Sequence, residues 1–154
     1  MDFLLSLQMG EENCQASMDR LSERDGFALA TPSVMQQLAD LAKNSPNEAF
    51  REAAGKTLRS IATWNVLTPE LGWKEHALAD SAAKKICEKG LCGNYQRALV
   101  LAEAAITKSR ILLTSHPVLL EIEDSVLTLL LVENHLPECS PIPPLWFAHW
   151  FSEE

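Results

Sequence analysis

The sequence lacks the features that would assign it to most functional classes. No run of Lys or Arg forms a basic stripe, and 13 basic against 21 acidic residues give a net charge of −8. It contains no G-x-S-x-G, G-x-x-x-x-G-K-[ST] or H-E-x-x-H motif. The strongest apolar stretch, residues 126–132, is far too short to span a membrane. These absences disfavour strong nucleic-acid binding and membrane insertion.

Cysteine usage predicts a reduced protein. The four cysteines form no C-x-x-C pair, and the opening residues lack the basic and apolar regions of a secretory leader. We therefore expect free thiols and a cytoplasmic location. The spacing of Cys87 and Cys92 relative to His76 and His116 matches no common zinc pattern, so the cysteines predict no metal site.

Length and composition predict one folded domain over residues 1–154. Apolar residues make up 47% and charged residues 22% of the chain, as in an average globular protein. Thr31 and Pro32 are typical of an N-cap and a first helical residue. Ser45 to Glu48 match a capping box, which predicts a second helix start.

Helical and strand-like patterns alternate along the rest of the chain. Helical periodicity covers residues 76–89, 94–106 and 125–134, and short strand patterns cover residues 64–67, 111–114 and 139–142. The alanine-rich helix over 94–106 is suited to close packing on a sheet. The alternation predicts a three-layer α/β/α sandwich around a mostly parallel sheet.

Three segments in fixed order carry a family pattern. Residues 27–38 are FALATPSVMQQL, residues 96–105 are QRALVLAEAA, and residues 111–120 are ILLTSHPVLL. They resemble the T-P-x-V-L-x-E-L, N-D-A-x-I-L-A-E-A and I-L-V-T-S-D-x-x-L-L segments of PIN-domain proteins, a superfamily of ribonucleases and toxins. The resemblance covers roughly residues 3–147. It implies a PIN-like parallel sheet that also uses residues 27–30.

The resemblance places four residues at the family's acidic site, and the site is degenerate. Gln37, Arg97 and His116 stand where the family has carboxylates, and Asp2 lies opposite the asparagine of its D-x-N motif. The family's carboxylates hold Mg²⁺ or Mn²⁺, hard cations that prefer anionic oxygen. A neutral amide, a guanidinium and an imidazole do not replace them, so we expect no catalytic residues, no metal and no cofactor.

Each substituted residue also has an ordinary structural interpretation. Gln37 is a common helix former, Arg97 suits a solvated first helical turn, and His116 before Pro117 suits a hydrogen-bonded turn. The competing functional interpretation is an active Mg²⁺- or Mn²⁺-dependent ribonuclease, the toxin of a toxin–antitoxin pair, with an atypical or incomplete site.

The N-terminus departs from the family pattern. PIN domains begin with a central strand, whereas this sequence begins where that strand ends. Either the chain starts late relative to its relatives, or residues 1–7 form the missing strand. A missing strand would leave open strand edges, which recruit other chains.

An aromatic tail over residues 145–151 offers a second route to association. Its sequence, LWFAHWF, predicts either a helix that closes the core or an exposed patch that binds another chain. We therefore expect an inactive relative of metal-dependent ribonucleases that acts through protein interaction or regulation. A protein partner or self-association is expected, and RNA is disfavoured by the negative charge.

Overall fold

A computed structural model describes residues 2–150, which are 62% helix and 5% strand. The helices in chain order are α1 (Asp2–Gln8), α2 (Glu12–Glu23), α3 (Pro32–Asn44), α4 (Glu48–Ser60), α5 (Trp73–Glu88), α6 (Tyr95–Ile106), α7 (Pro117–Leu120), α8 (Asp124–Glu133) and α9 (Pro144–His149). Two strands are present, β1 (Ile111–Leu113) and β2 (Ser140–Ile142). No helix within these residues is both long and apolar enough to cross a bilayer.

The predicted three-layer α/β/α sandwich is wrong. Within residues 2–150 the sheet has only two strands, β1 and β2. The segment near 27–30 forms a single parallel bridge, between Leu29 and Leu67. The strands are short for local reasons. Pro32 starts a helix directly after residues 27–30, which ends the extended segment there. Pro141 within β2 has no N–H to donate to a neighbouring strand. The sheet therefore cannot serve as the middle layer of a sandwich.

Several local predictions are confirmed. The strands predicted over 111–114 and 139–142 exist and pair in parallel, with Ile111 opposite Ser140 and Leu113 opposite Ile142. The helix predicted to begin at Pro32 does begin there. The alternative in which residues 1–7 form the missing strand is wrong, because Asp2–Gln8 is a helix.

The capping box predicted at Ser45 is wrong, although the helix that it predicts does exist. Asn47 caps α4, and its side-chain oxygen accepts a hydrogen bond from the backbone N–H of Phe50 at 3.2 Å. The Ser45 hydroxyl instead accepts from the backbone N–H of Asn47 at 3.3 Å. Ser45 therefore stabilises the turn that precedes the cap.

The described chain divides into two compact units. The first contains residues 2–69 and 143–150, and the second contains residues 70–142. Buried apolar side chains occur in both units. The prediction of a single domain over residues 1–154 stays a prediction.

The first unit is built on the paired helices α3 and α4. Helix α1 packs on α4 and α2, and α9 packs on α2. Two side chains of α2 hold α9 in place. The hydroxyl of Ser17 shares its one hydrogen between the carbonyl of Asn13 in α2, at 2.8 Å, and the carbonyl of Pro144, at 3.0 Å. Nε of Arg20 donates to the carbonyl of Ala148 at 3.3 Å. Helix α9 is thus docked by polar contacts as well as by burial.

The second unit has one continuous apolar core around the paired helices α5 and α6. The small side chains that allow close packing on these helices are Ala79, Ala82, Ala83, Ala98, Ala102 and Ala105, all fully buried. The alanine-rich face of α6 was expected to pack on a sheet, but most of its contacts are with α5. Helix α8 completes the core with Leu127, Leu130 and Leu131.

Candidate functional site

Two of the four family positions lie in the first unit. Asp2 is in the first turn of α1, and Gln37 is on α3. Gln37 lines a shallow depression of about 350 Å³ with Asp40, Leu41, Asn44 and Ser45. Its Nε2 atom is buried and has no hydrogen-bond partner among residues 2–150. The lining of the depression therefore includes one carboxylate, that of Asp40, and the side chain of Gln37, whose Nε2 donor is unpaired.

The other two positions lie in the second unit. Arg97 is exposed in the first turn of α6, and its backbone N–H donates to Oδ1 of Asn94 at 3.1 Å. Its guanidinium forms no ion pair with any described residue. His116 follows β1 as the N-cap of α7, and its backbone N–H donates to Oγ1 of Thr114 at 3.1 Å. Its ring nitrogen Nδ1 is buried and unpaired within the described chain.

These residues do not fit a divalent cation. The buried nitrogen of Gln37 is a donor, and a cation offers it no acceptor. The guanidinium of Arg97 is a permanent positive charge that repels Mg²⁺ or Mn²⁺. Across residues 2–150, no group of three or more His, Cys, Asp or Glu side chains is placed to hold a metal ion. The four family positions are divided between the two units, and their convergence on one site stays a prediction.

Asp80, another acid of the second unit, is held in structural contacts. Asp80 of α5 accepts a hydrogen bond from the hydroxyl of Tyr95 on α6, and Nζ of Lys84 lies 2.9 Å from its other oxygen. The Tyr95 hydrogen bond, followed by Lys84, lowers the pKa of Asp80. The same hydrogen bond raises the pKa of Tyr95 to about 12. This contact joins α5 to α6 and does not form a catalytic carboxylate pair.

The cysteines are free thiols without the surroundings of a nucleophile. Cys14, Cys92 and Cys139 are buried, and Cys87 is partly exposed. Burial raises the pKa of Cys139 to about 12, and burial followed by the Glu11 carboxylate raises the pKa of Cys14 to about 12. Burial also raises the pKa of Cys87. Since the thiolate is the reactive form, these shifts disfavour cysteine chemistry.

The aromatic tail presents different residues on its two sides. Phe147 and Ala148 are buried in the first unit, so one side of α9 closes the core as one interpretation predicted. Trp146 is 62% exposed and Trp150 is 53% exposed, so the other side matches the patch interpretation. Leu145, Trp146, His149 and Trp150 line a depression of about 300 Å³, which we call the aromatic surface. Phe151, the last residue of the predicted tail, lies outside the described residues.

Comparison with known proteins identifies no relative. No protein-family model, curated protein or solved structure matches this chain. The chemistry of the described residues therefore carries the functional argument alone.

Proposed function

We propose that this protein is a non-catalytic interaction domain that associates with a second copy of itself through the aromatic surface. The observation that carries the proposal is the exposure of two tryptophans, Trp146 and Trp150, on a helix whose other side is docked in the core. Large exposed apolar patches mark interaction sites, and tryptophan is the residue most enriched among energetically dominant contacts.

The charge around the aromatic surface favours a second copy as the occupant. Residues 139–152 contain no Asp, Glu, Lys or Arg, although the whole chain carries a net charge of −8. Two copies of this stretch can pack against each other without bringing Asp, Glu, Lys or Arg side chains of the stretch itself together. Homodimer interfaces are also the more apolar class of protein interface. A twofold arrangement would bury both copies of the surface against each other.

Because α9 is packed on α2, the aromatic surface is already in place before a second copy binds. The hydrogen bonds from Ser17 and Arg20 to α9 carbonyls fix the helix before any partner binds. A fixed surface loses less conformational freedom on association. The surface is small, so we expect a dimer dissociation constant in the range of about 1 to 100 µM.

Sedimentation velocity over about 1 to 200 µM tests the proposal. The wild-type protein should form a concentration-dependent dimer, and the double variant Trp146→Ser/Trp150→Ser should stay monomeric. Trp73→Ser is the matched control, because Trp73 is 78% exposed on α5 in the other unit. A monomeric wild type, or a double variant that dimerises as the wild type does, would refute the proposal.

The non-catalytic part of the proposal has a separate test. Purified protein with excess Mg²⁺ or Mn²⁺ should not cleave single-stranded or structured RNA above a mock purification. The support is the set of residues at the family positions, which do not fit a divalent ion. Metal-dependent cleavage that is lost in an Asp40→Asn or Asp80→Asn variant would establish the alternative, an active ribonuclease.

A further inference from the structure

Helix α8 is apolar on both sides. Its inner side places Leu127, Leu130 and Leu131 in the core of the second unit. Its outer side exposes Val126 at 39%, Leu129 at 60% and Val132 at 55%. A helix at the surface of a soluble protein normally has polar residues on its outer side. We call these three exposed residues the outer stripe.

The geometry of the outer stripe suits one helix of a partner. Each residue of an α-helix turns the chain by about 100°, so a step of three residues moves a side chain by only about 60° around the axis. The three side chains therefore lie within an arc of roughly 120°. The stripe is about 9 Å long at 1.5 Å per residue. This length matches two turns of an α-helix, whose apolar residues recur every three or four positions.

The charges around the outer stripe have one sign. Residues 117–142 contain five acidic residues and no Lys or Arg. The five are Glu121, Glu123, Asp124, Glu133 and Glu138, and all are exposed. None of them forms an ion pair within residues 2–150. Carboxylates therefore lie at both ends of the stripe, with Asp124 before it and Glu133 after it.

This pattern argues against a second copy as the occupant. Two α8 helices packed against each other would bring carboxylate ends together in either direction, and unpaired like charges at an interface are costly. A partner with basic residues beside its apolar row would neutralise both ends. Such a partner would also associate faster, because opposite charges steer encounter.

We propose that the outer stripe of α8 binds an amphipathic helix of another protein, with Lys or Arg flanking an apolar row. The outer stripe belongs to the second unit, and the residues of the aromatic surface belong to the first. The partner's apolar side chains pack on Leu129 and its neighbours, and its basic side chains pair with Glu133 and the carboxylates that precede the stripe.

A designed peptide tests the chemistry directly. The probe is a fluorescein-labelled helical peptide of about 18 residues with leucine at every third or fourth position and lysine on the flanking positions. One comparison peptide has glutamate in place of lysine, and another has glutamine in place of leucine. Fluorescence anisotropy should give binding of the lysine peptide that is at least about tenfold tighter than binding of either comparison peptide.

Variants locate the binding on α8. Leu129→Gln and Glu133→Lys should each weaken binding of the lysine peptide by about tenfold. Met9→Gln and Glu48→Lys are matched controls in the other unit, since Met9 is 68% exposed and Glu48 is also exposed. Both control proteins should bind as the wild type does. The Trp146→Ser/Trp150→Ser protein should also bind the peptide normally, which separates this proposal from self-association.

Two results would overturn the proposal. The first is no binding of the lysine peptide at roughly 100 µM protein. The second is equal binding by wild type and Leu129→Gln, which would assign the attraction to net charge alone. Far-ultraviolet circular dichroism of each variant confirms that a lost signal does not reflect unfolding.

Discussion

Helices α8 and α9 both bury one side and expose large apolar side chains on the other, but their charge surroundings differ. The exposed side of α9 is aromatic and lies in a charge-free stretch, residues 139–152. The exposed side of α8 is aliphatic and lies among carboxylates. Exposure alone therefore does not define a partner. The charges beside the apolar residues separate a surface suited to a second copy from one suited to a basic partner.

The two helices also differ in how they are held. Helix α9 is short and depends on hydrogen bonds from Ser17 and Arg20 of α2. Helix α8 is held by leucines in the continuous core of the second unit. Core truncation should therefore be most damaging at α8, whereas removal of a polar contact should loosen α9.

The largest expected effect on stability comes from truncation of the inner side of α8. Leu131 is fully buried, so Leu131→Ala should lower the free energy of unfolding by about 3 kcal/mol through lost burial and a new cavity. Leu129→Ala removes the same atoms from the exposed side and should cost less than about 0.5 kcal/mol. Urea unfolding followed by circular dichroism measures both. Equal losses would contradict the assignment of inner and outer sides.

An intermediate effect is expected where α9 docks on α2. Ser17→Ala removes a buried hydroxyl whose one hydrogen is shared between the carbonyls of Asn13 and Pro144, and it should cost about 1 kcal/mol. Ser125→Ala is the control, because the exposed Ser125 hydroxyl donates only to the exposed carboxylate of Glu123. Urea unfolding compares the two variants. If Ser17→Ala is no more destabilising than the control, the hydrogen bond does not hold α9 in place.

The smallest effect on stability is expected at the Tyr95 contact between α5 and α6, which lies near the surface. Tyr95 is the only tyrosine in the sequence, so absorbance at the phenolate wavelength reports this residue alone. Its midpoint should lie near the raised pKa of about 12, and Asp80→Ala should move it back toward the ordinary value near 10. An unchanged midpoint in Asp80→Ala would show that the carboxylate does not hold the hydroxyl.

The pKa shifts of Tyr95 and Asp80 determine how stability changes with pH. Because the folded protein raises the pKa of Tyr95, its contribution to stability is complete below the unfolded value and is lost as pH rises toward about 12. Because the folded protein lowers the pKa of Asp80, the contribution of that residue is present above its unfolded pKa and is lost on acidification. The wild type should therefore lose its advantage over Tyr95→Phe at both extremes of pH.

Local sequence patterns predicted elements better than they predicted architecture. Thr31 and Pro32 located the start of α3, and the apolar run at Ile111 located β1, because these signals act within a few residues. Whether strands assemble into a sheet depends on distant pairing, which periodicity does not encode. The alanines of α6 fit a helix as well as a sheet, and they pack mainly on α5. The arrangement of helices and strands into layers therefore could not be predicted from local sequence patterns.

The candidate surfaces were predictable to different degrees. The aromatic tail was recognised from its composition, but its division into a docked side and an exposed side depends on Ser17 of α2. By its length, the apolar run over residues 126–132 indicates only that it cannot span a membrane. The apolar residues of this run lie on both the buried and the exposed side of α8, and with their acidic neighbours they are the sequence signal for the outer stripe. The predicted first-turn position of Arg97 is confirmed.

Sedimentation velocity of the wild-type protein at low and high ionic strength tests the central claim most directly. Because residues 139–152 contain no Asp, Glu, Lys or Arg and each chain has a net charge of −8, screening should reduce repulsion between copies without weakening their contact. We therefore predict a dimer that persists or strengthens as salt rises from about 50 to about 500 mM. A protein that stays monomeric at both salt concentrations, or a dimer that dissociates as salt is added, would contradict the account.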